Sequence, residues 1–153
     1  MRPALSWLVG SWRNAWWLGG LLLVGAVACG DGGSDPGPTI IDYPGNFVGT
    51  VSGTDAGTTV EDAPATLTIS QSGLTLTGSW TTLGASGTFN GEACSDGSSC
   101  YTFVLTQTQP CNGIFSGTGN ASSQNNRATR LTGTYTGTYC GGEVQATFAL
   151  DRQ

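Results

Sequence analysis

From Asn46 to Gln153 apolar and hydroxylated residues alternate with a period of two, and no stretch carries a helical repeat. Leu67 and Ile69 alternate with Thr66, Thr68 and Ser70; Leu74, Leu76 and Trp80 alternate with Thr75, Thr77, Ser79 and Thr81. Tyr101, Phe103 and Leu105 share one parity, as do Leu131, Tyr135 and Tyr139, and Val144, Ala146, Phe148 and Leu150. Successive side chains of a strand point to opposite faces, so each segment is apolar on one side and wet on the other. Gly, Asn, Asp and Ser punctuate the pattern at short intervals. Eight strands are predicted, at about 46–53, 64–71, 73–82, 85–91, 100–108, 112–119, 129–139 and 143–151. The fold class is all-β. Eight strands joined by short turns close most economically into an antiparallel up-and-down barrel, and closure hides strand edges that would otherwise aggregate. A β-sandwich is the alternative that the same alternation permits.

The first 28 residues do not belong to that pattern. Arg2 and Arg13 precede an uncharged run, Ala15 to Ala28, with the layout of a signal peptide: a basic start, an apolar middle and small residues at the end. The apolar run has 14 residues, whereas a spanning helix needs about 20. It ends in Ala26-Val27-Ala28-Cys29-Gly30. This resembles the lipobox of bacterial lipoproteins, with Ala26 where leucine is commoner. The resemblance implies a diacylglyceryl group (and palmitate-type acyl chains) on the Cys29 sulfur, then cleavage that makes Cys29 the new N-terminus. Two or more chains anchor a protein firmly, so no transmembrane helix is required. Gly30 follows the cysteine and Asp31 comes one place later. By the family's retention rule this implies the outer membrane of the cell envelope, facing the periplasm or the surface. A barrel that itself spans the membrane is disfavoured, because the strands lack aromatic girdles and the lipobox would be redundant.

Residues 29–45 are rich in Gly, Pro, Ser and Asp and read as a flexible linker. Asp31, Asp35 and Asp42 match no calcium-loop spacing. Residues 46–153 are long enough for one small domain. After removal of residues 1–28, three arginines face ten acids, for a side-chain balance of −7, and Trp80 is the one tryptophan left of five. That charge excludes the basic surface that nucleic acid requires. The chain has no histidine, so neither a histidine dyad nor a histidine-ligated zinc can form.

Cys94, Cys100, Cys111 and Cys140 remain once Cys29 is assigned to lipid, and an exported chain meets an oxidising compartment. Three pairings exist. Cys94 and Cys100 flank one hairpin tip, and Cys111 and Cys140 fall at adjoining ends of the sixth and seventh strands. The expected bridges are therefore Cys94–Cys100 and Cys111–Cys140. The spacing fits neither a zinc ribbon nor a C-x-x-C oxidoreductase.

No catalytic constellation is visible. The carboxylates Asp55, Glu61, Asp62, Glu92, Asp96, Glu143 and Asp151 sit mostly in turns or at strand ends, with no pair held as a glycosidase needs. No serine stands in a G-x-S-x-G elbow. The expectation is a protein that is not an enzyme and carries no metal or cofactor. Gly49, Gly78, Gly87, Gly133 and Gly137 recur on the apolar parity. They bend tight strands or leave interior space.

The strand pattern, with Gly45-Asn46-Phe47 at its start, resembles the lipocalin-like and avidin-like barrels and their G-x-W opening. Phenylalanine stands here in place of tryptophan. The resemblance implies an eight-stranded barrel and carries over no ligand residue; with Trp80 alone, biotin is not implied. The expected function is that of a lipid-anchored envelope module. Its barrel binds a small apolar ligand or another envelope component, and Phe47, Leu76, Trp80, Phe89, Tyr101, Phe103, Tyr135 and Tyr139 are the candidate lining residues. The alternatives are a structural or interaction lipoprotein with a filled core, and a periplasmic protease-inhibitor-like protein, since such inhibitors also use eight-stranded barrels with a disulfide.

Overall fold

A computed structural model describes residues 39–153. The expected signal peptide and Cys29 lie outside the described residues. Eight strands run β1 Gly45–Asp55, β2 Thr58–Ser72, β3 Thr75–Thr82, β4 Ala85–Ala93, β5 Cys100–Gln109, β6 Gly113–Gln124, β7 Arg127–Tyr139 and β8 Gly142–Arg152. Each pairs antiparallel with its neighbour in sequence, and β1 pairs with β8, so the sheet is a closed up-and-down barrel rather than a sandwich. The apolar parity faces inward. The outer face is a lattice of hydroxyls, such as the 2.6 Å contact between the Thr66 and Thr81 side chains. A membrane-spanning barrel has the reverse polarity, with its apolar band outside.

Two strands exceed their predicted lengths by four residues or more. β2 begins at Thr58 rather than 64. Pro64 argues for a strand start, yet β2 pairs with β3 only from Ala65 onward, so Pro64 has a single strand neighbour, as an edge residue does. A bulge opposite Ser52 absorbs Glu61-Asp62, with Asp62 at φ 48° and its N–H donating to the Ser52 hydroxyl at 2.9 Å. β6 continues to Gln124, because Ala121 keeps the inward parity with a side chain too small to register as an apolar signal.

The interior is built on one repeated device. Each inward aromatic of β3–β8 lies directly across from an inward glycine: Phe89 from Gly78, Trp80 from Gly87, Tyr101 from Gly119, Phe103 from Gly117, Phe115 from Gly137, Tyr135 from Gly117, Tyr139 from Gly113 and Phe148 from Gly133. The absent side chains leave no void there. A Cβ on Gly117 would stand 2.6 Å from Phe103 Cζ, and one on Gly133 would stand 2.6 Å from Phe148 Cζ. At Gly49, Gly78, Gly87 and Gly137 the same Cβ would strike a backbone carbonyl of the adjacent strand. The glycines thus admit both close strand approach in a small barrel and rings from the facing strand.

The two barrel ends differ. One is plugged by residues preceding β1. Ile41 and Tyr43 are buried, 6% and 0% exposed. Asp42 bridges to Arg127, its N–H donating to Asn126 O at 2.8 Å and its carbonyl accepting from Ala128 N at 2.9 Å. The Tyr43 hydroxyl donates to Ser99 O at 3.1 Å, and its N–H donates to Gln71 Oε1 at 2.8 Å. Arg152 reaches across the same end. It donates to the carbonyls of Asp42, Tyr43, Pro44 and Ala128 and lies 4.8 Å from the Phe47 ring centre. The expected linker therefore overran the domain edge: residues 40–45 belong to the fold. Asp42, Pro44 and Gly45 gave the segment a loop composition, which masked the apolar Ile40, Ile41 and Tyr43.

Both expected disulfides are present. Cys94–Cys100 closes the β4–β5 loop at the plugged end, with Cα atoms 5.5 Å apart. Cys111–Cys140 ties the β5–β6 and β7–β8 turns at the other end, with Cα atoms 5.8 Å apart.

Candidate functional site

The end away from the plug is open. Its turns follow β1, β3, β5 and β7, and between them lies a cavity of about 170 Å³. A drug-sized pocket starts near 300 Å³; this one is of the order that holds a single ring. Inward parity on each strand brings its lining together. On β1 the series Phe47, Gly49, Val51, Gly53 ends in Asp55. On β5 the series Tyr101, Phe103, Leu105 ends in Gln107, only 3% exposed. Trp80 on β3, Phe115 on β6, and Tyr135 and Tyr139 on β7 complete the wall. Leu83, 66% exposed in the β3–β4 turn, forms part of the rim.

Phe115 is flanked edge-on by Trp80 and Tyr135 and at a tilt by Tyr139. Its ring centre is 6.3 Å from Trp80, 5.7 Å from Tyr135 and 6.2 Å from Tyr139. Asp55 Oδ2 accepts a 2.5 Å hydrogen bond from the Tyr139 hydroxyl. Asp55 Oδ1 is buried with no protein partner, and so is the indole Nε1 of Trp80, a residue only 8% exposed. A buried polar atom without a partner is costly to maintain, by about 1–3 kcal/mol, and rare in native structures. The mouth therefore holds one free acceptor and one free donor within an apolar wall.

The candidate lining residues divide by depth. Trp80, Tyr135 and Tyr139 line the mouth cavity. Phe89 and Phe103, with Trp80 and Tyr135, border a void of about 40 Å³ deeper in the barrel. Phe47, Leu76 and Tyr101 are packed in the core towards the plug and border neither space. Asp55, Gln107 and Phe115 escaped the sequence reading. Asp55 looked like a turn residue before Ala56-Gly57, although continuing the β1 alternation by two residues places it inside.

Charge is also divided. Asp55, Glu61, Asp62 and Glu143 lie in the mouth half of the strands, whereas Arg127, Arg130 and Arg152 lie at the plugged end. Among the described residues the mouth half carries no basic side chain. At the plugged end, Arg130 pairs with Asp151 at 2.9 Å and Arg127 with Asp42 at 3.7 Å. Cys94, Asp96 and Cys100 cluster there as well. Both sulfurs are spent in the disulfide and Asp96 accepts from Ser98 N at 2.9 Å, which leaves no metal-binding thiolate.

The phenol pKa is raised at all four tyrosines. Burial pushes Tyr43 and Tyr135 up to about 12, with the Asp55 charge adding to the effect at Tyr135. Burial likewise raises Tyr101, and the hydrogen bond to Asp55 raises Tyr139. In the unfolded chain these phenols ionise near 10. The folded state thus binds more protons above that pH. These phenols leave stability unchanged well below pH 10 and lower it from there towards pH 12, by at most about 1.4 kcal/mol per pH unit for each. Guanidinium midpoints should hold level from pH 7 to 9 and drop steeply by pH 11. Tyr135→Phe should reduce that alkaline slope.

No known family model matches the chain, and no curated protein or solved structure is significantly similar to it.

Proposed function

We propose that the protein is a lipid-anchored cell-envelope binding module that takes a small ligand in the open mouth of its barrel. The observation that carries the binding reading is the mouth cavity itself, with Trp80 Nε1 and Asp55 Oδ1 left without protein partners. The lipobox-like Ala26-Val27-Ala28-Cys29 carries the anchor reading. The two parts fit each other. Thr39 and Gln153 are the ends of the described chain, and the segments they belong to, residues 39–44 and the end of β8, lie at the plugged end. A tether attached there joins the barrel at the end opposite the mouth.

Two experiments test the two parts. Radiolabelled fatty acid should be incorporated by the wild type and not by Cys29→Ser; an unlabelled wild type overturns the anchor. A ligand-observed NMR screen of one-ring fragments should give hits that Ala85→Trp, which places an indole at the mouth, abolishes. An absence of hits would favour the second reading, a structural module with a filled core. The nearly complete burial of Tyr43, Phe47, Leu76 and Tyr101 towards the plug already suits that reading for one half of the barrel.

A further inference from the structure

We infer that the mouth selects a small organic cation, an ammonium group on a compact apolar body of about one ring, with Asp55 as its counter-ion. This rests on the mouth being a binding site and adds the chemical class of its occupant. Three independent observations converge. The wall is aromatic on several sides, through Trp80, Phe115, Tyr135 and Tyr139, and ring faces attract cations through their quadrupoles. Asp55 lines the cavity with Oδ2 taken by the Tyr139 hydroxyl, while Oδ1 is enclosed without a protein partner, which makes it the acceptor that an N⁺–H donor, the stronger kind of hydrogen bond, would use. Finally, Glu61, Asp62 and Glu143 lie in the mouth half of the strands, outside the cavity lining, with no basic side chain among the described residues of that half, a field that draws cations in and repels anions. A hard metal ion is a poor fit, because calcium and magnesium require six or more oxygen ligands and the cavity lining offers one carboxylate.

Trp80 is the only tryptophan after residue 28 and sits in the cavity wall, so its emission reports occupancy directly. The probes are three molecules of one shape: cyclohexylammonium, cyclohexanol and cyclohexanecarboxylate. Each is titrated at neutral pH into the protein lacking residues 1–28. The cation should bind about tenfold tighter than the alcohol, and the carboxylate should bind weakest. Asp55→Asn should bring cyclohexylammonium down to the affinity of cyclohexanol, whereas Asp96→Asn, at the plugged end, should leave the preference intact. Equal affinities of the ammonium and the alcohol in the wild type overturn the cation inference and leave the mouth a neutral binding site. That comparison stands even if Asp55→Asn misfolds. A preference that survives Asp55→Asn also overturns the assignment of the counter-ion. No Trp80 response to any of the three, up to tens of millimolar, overturns the binding function itself.

Discussion

Gly117→Val should unfold the barrel or bring it to the edge of unfolding, at a cost of about 3 kcal/mol or more. Gly117 faces inward between β5 and β7, across from Phe103 on one side and Tyr135 on the other. A Cβ there would strike the Thr134 carbonyl oxygen and stand 2.6 Å from Phe103 Cζ and 2.9 Å from Tyr135 Cβ. The carbonyl belongs to the strand ladder and cannot swing aside. The rings cannot retreat either, because Phe103 stacks on Phe89 at 5.6 Å and packs edge-on to Phe148 at 5.7 Å. Valine adds two further methyl groups to that clash. Its neighbour Ser116 points outward and is exposed, so Ser116→Val should change stability by no more than about 0.5 kcal/mol. Thermal melts of the pair separate the interior role of the glycine from simple strand propensity. For a domain of this size, about 3 kcal/mol lowers the midpoint by roughly 15 °C.

Breaking the mouth disulfide should have the second large effect. Cys111 and Cys140 are 29 residues apart in sequence, and freeing that loop in the unfolded chain costs about 3.6 kcal/mol in the chain-entropy model. Cys94 and Cys100 are six apart, for about 2.4 kcal/mol. The double variant Cys111→Ser/Cys140→Ser should therefore have the lower denaturant midpoint of the two. It should also affect the site. The bridge joins the turns after β5 and β7, and those strands carry Gln107, Tyr135 and Tyr139 into the cavity wall. Losing Cys94–Cys100, at the opposite end, should leave the Trp80 emission spectrum of the folded state unchanged. A stability order reversed from this one would mean that the short β4–β5 loop contributes more than its length implies.

The barrel was legible because strand period, turn residues and cysteine positions all point to the same answer. Leu67-Thr68-Ile69 has no other economical reading, and two hairpin-compatible cysteine pairs leave little freedom. Three features escaped for physical reasons. Ile41 and Tyr43 plug the barrel as an isolated apolar pair inside a loop-like sequence, and only tertiary contacts give them meaning. The pairing of each aromatic with a glycine is a property of register between strands, which a single sequence states only indirectly through the recurrence of Gly78, Gly87, Gly133 and Gly137. Asp55 carries no signal in the sequence, because an acid at a strand end is ordinarily solvated. It becomes informative only when the strand is seen to continue to that residue with its parity unbroken. The eight candidate lining residues share one chemistry, and sequence could not rank them by depth. Depth depends on strand stagger around the barrel and on which end the residues before β1 close.

The most direct measurement of the mouth as a binding site is an amide-shift map by heteronuclear NMR, with cyclohexylammonium titrated into the isotopically labelled protein lacking residues 1–28. The predicted result is a saturable set of shifts confined to Thr54, Asp55, Val60, Leu83, Ala85, Tyr135, Tyr139 and Val144 and to the Trp80 indole N–H. Shifts scattered over the outer threonine face, or centred on Tyr43 and Arg152 at the plugged end, would contradict it.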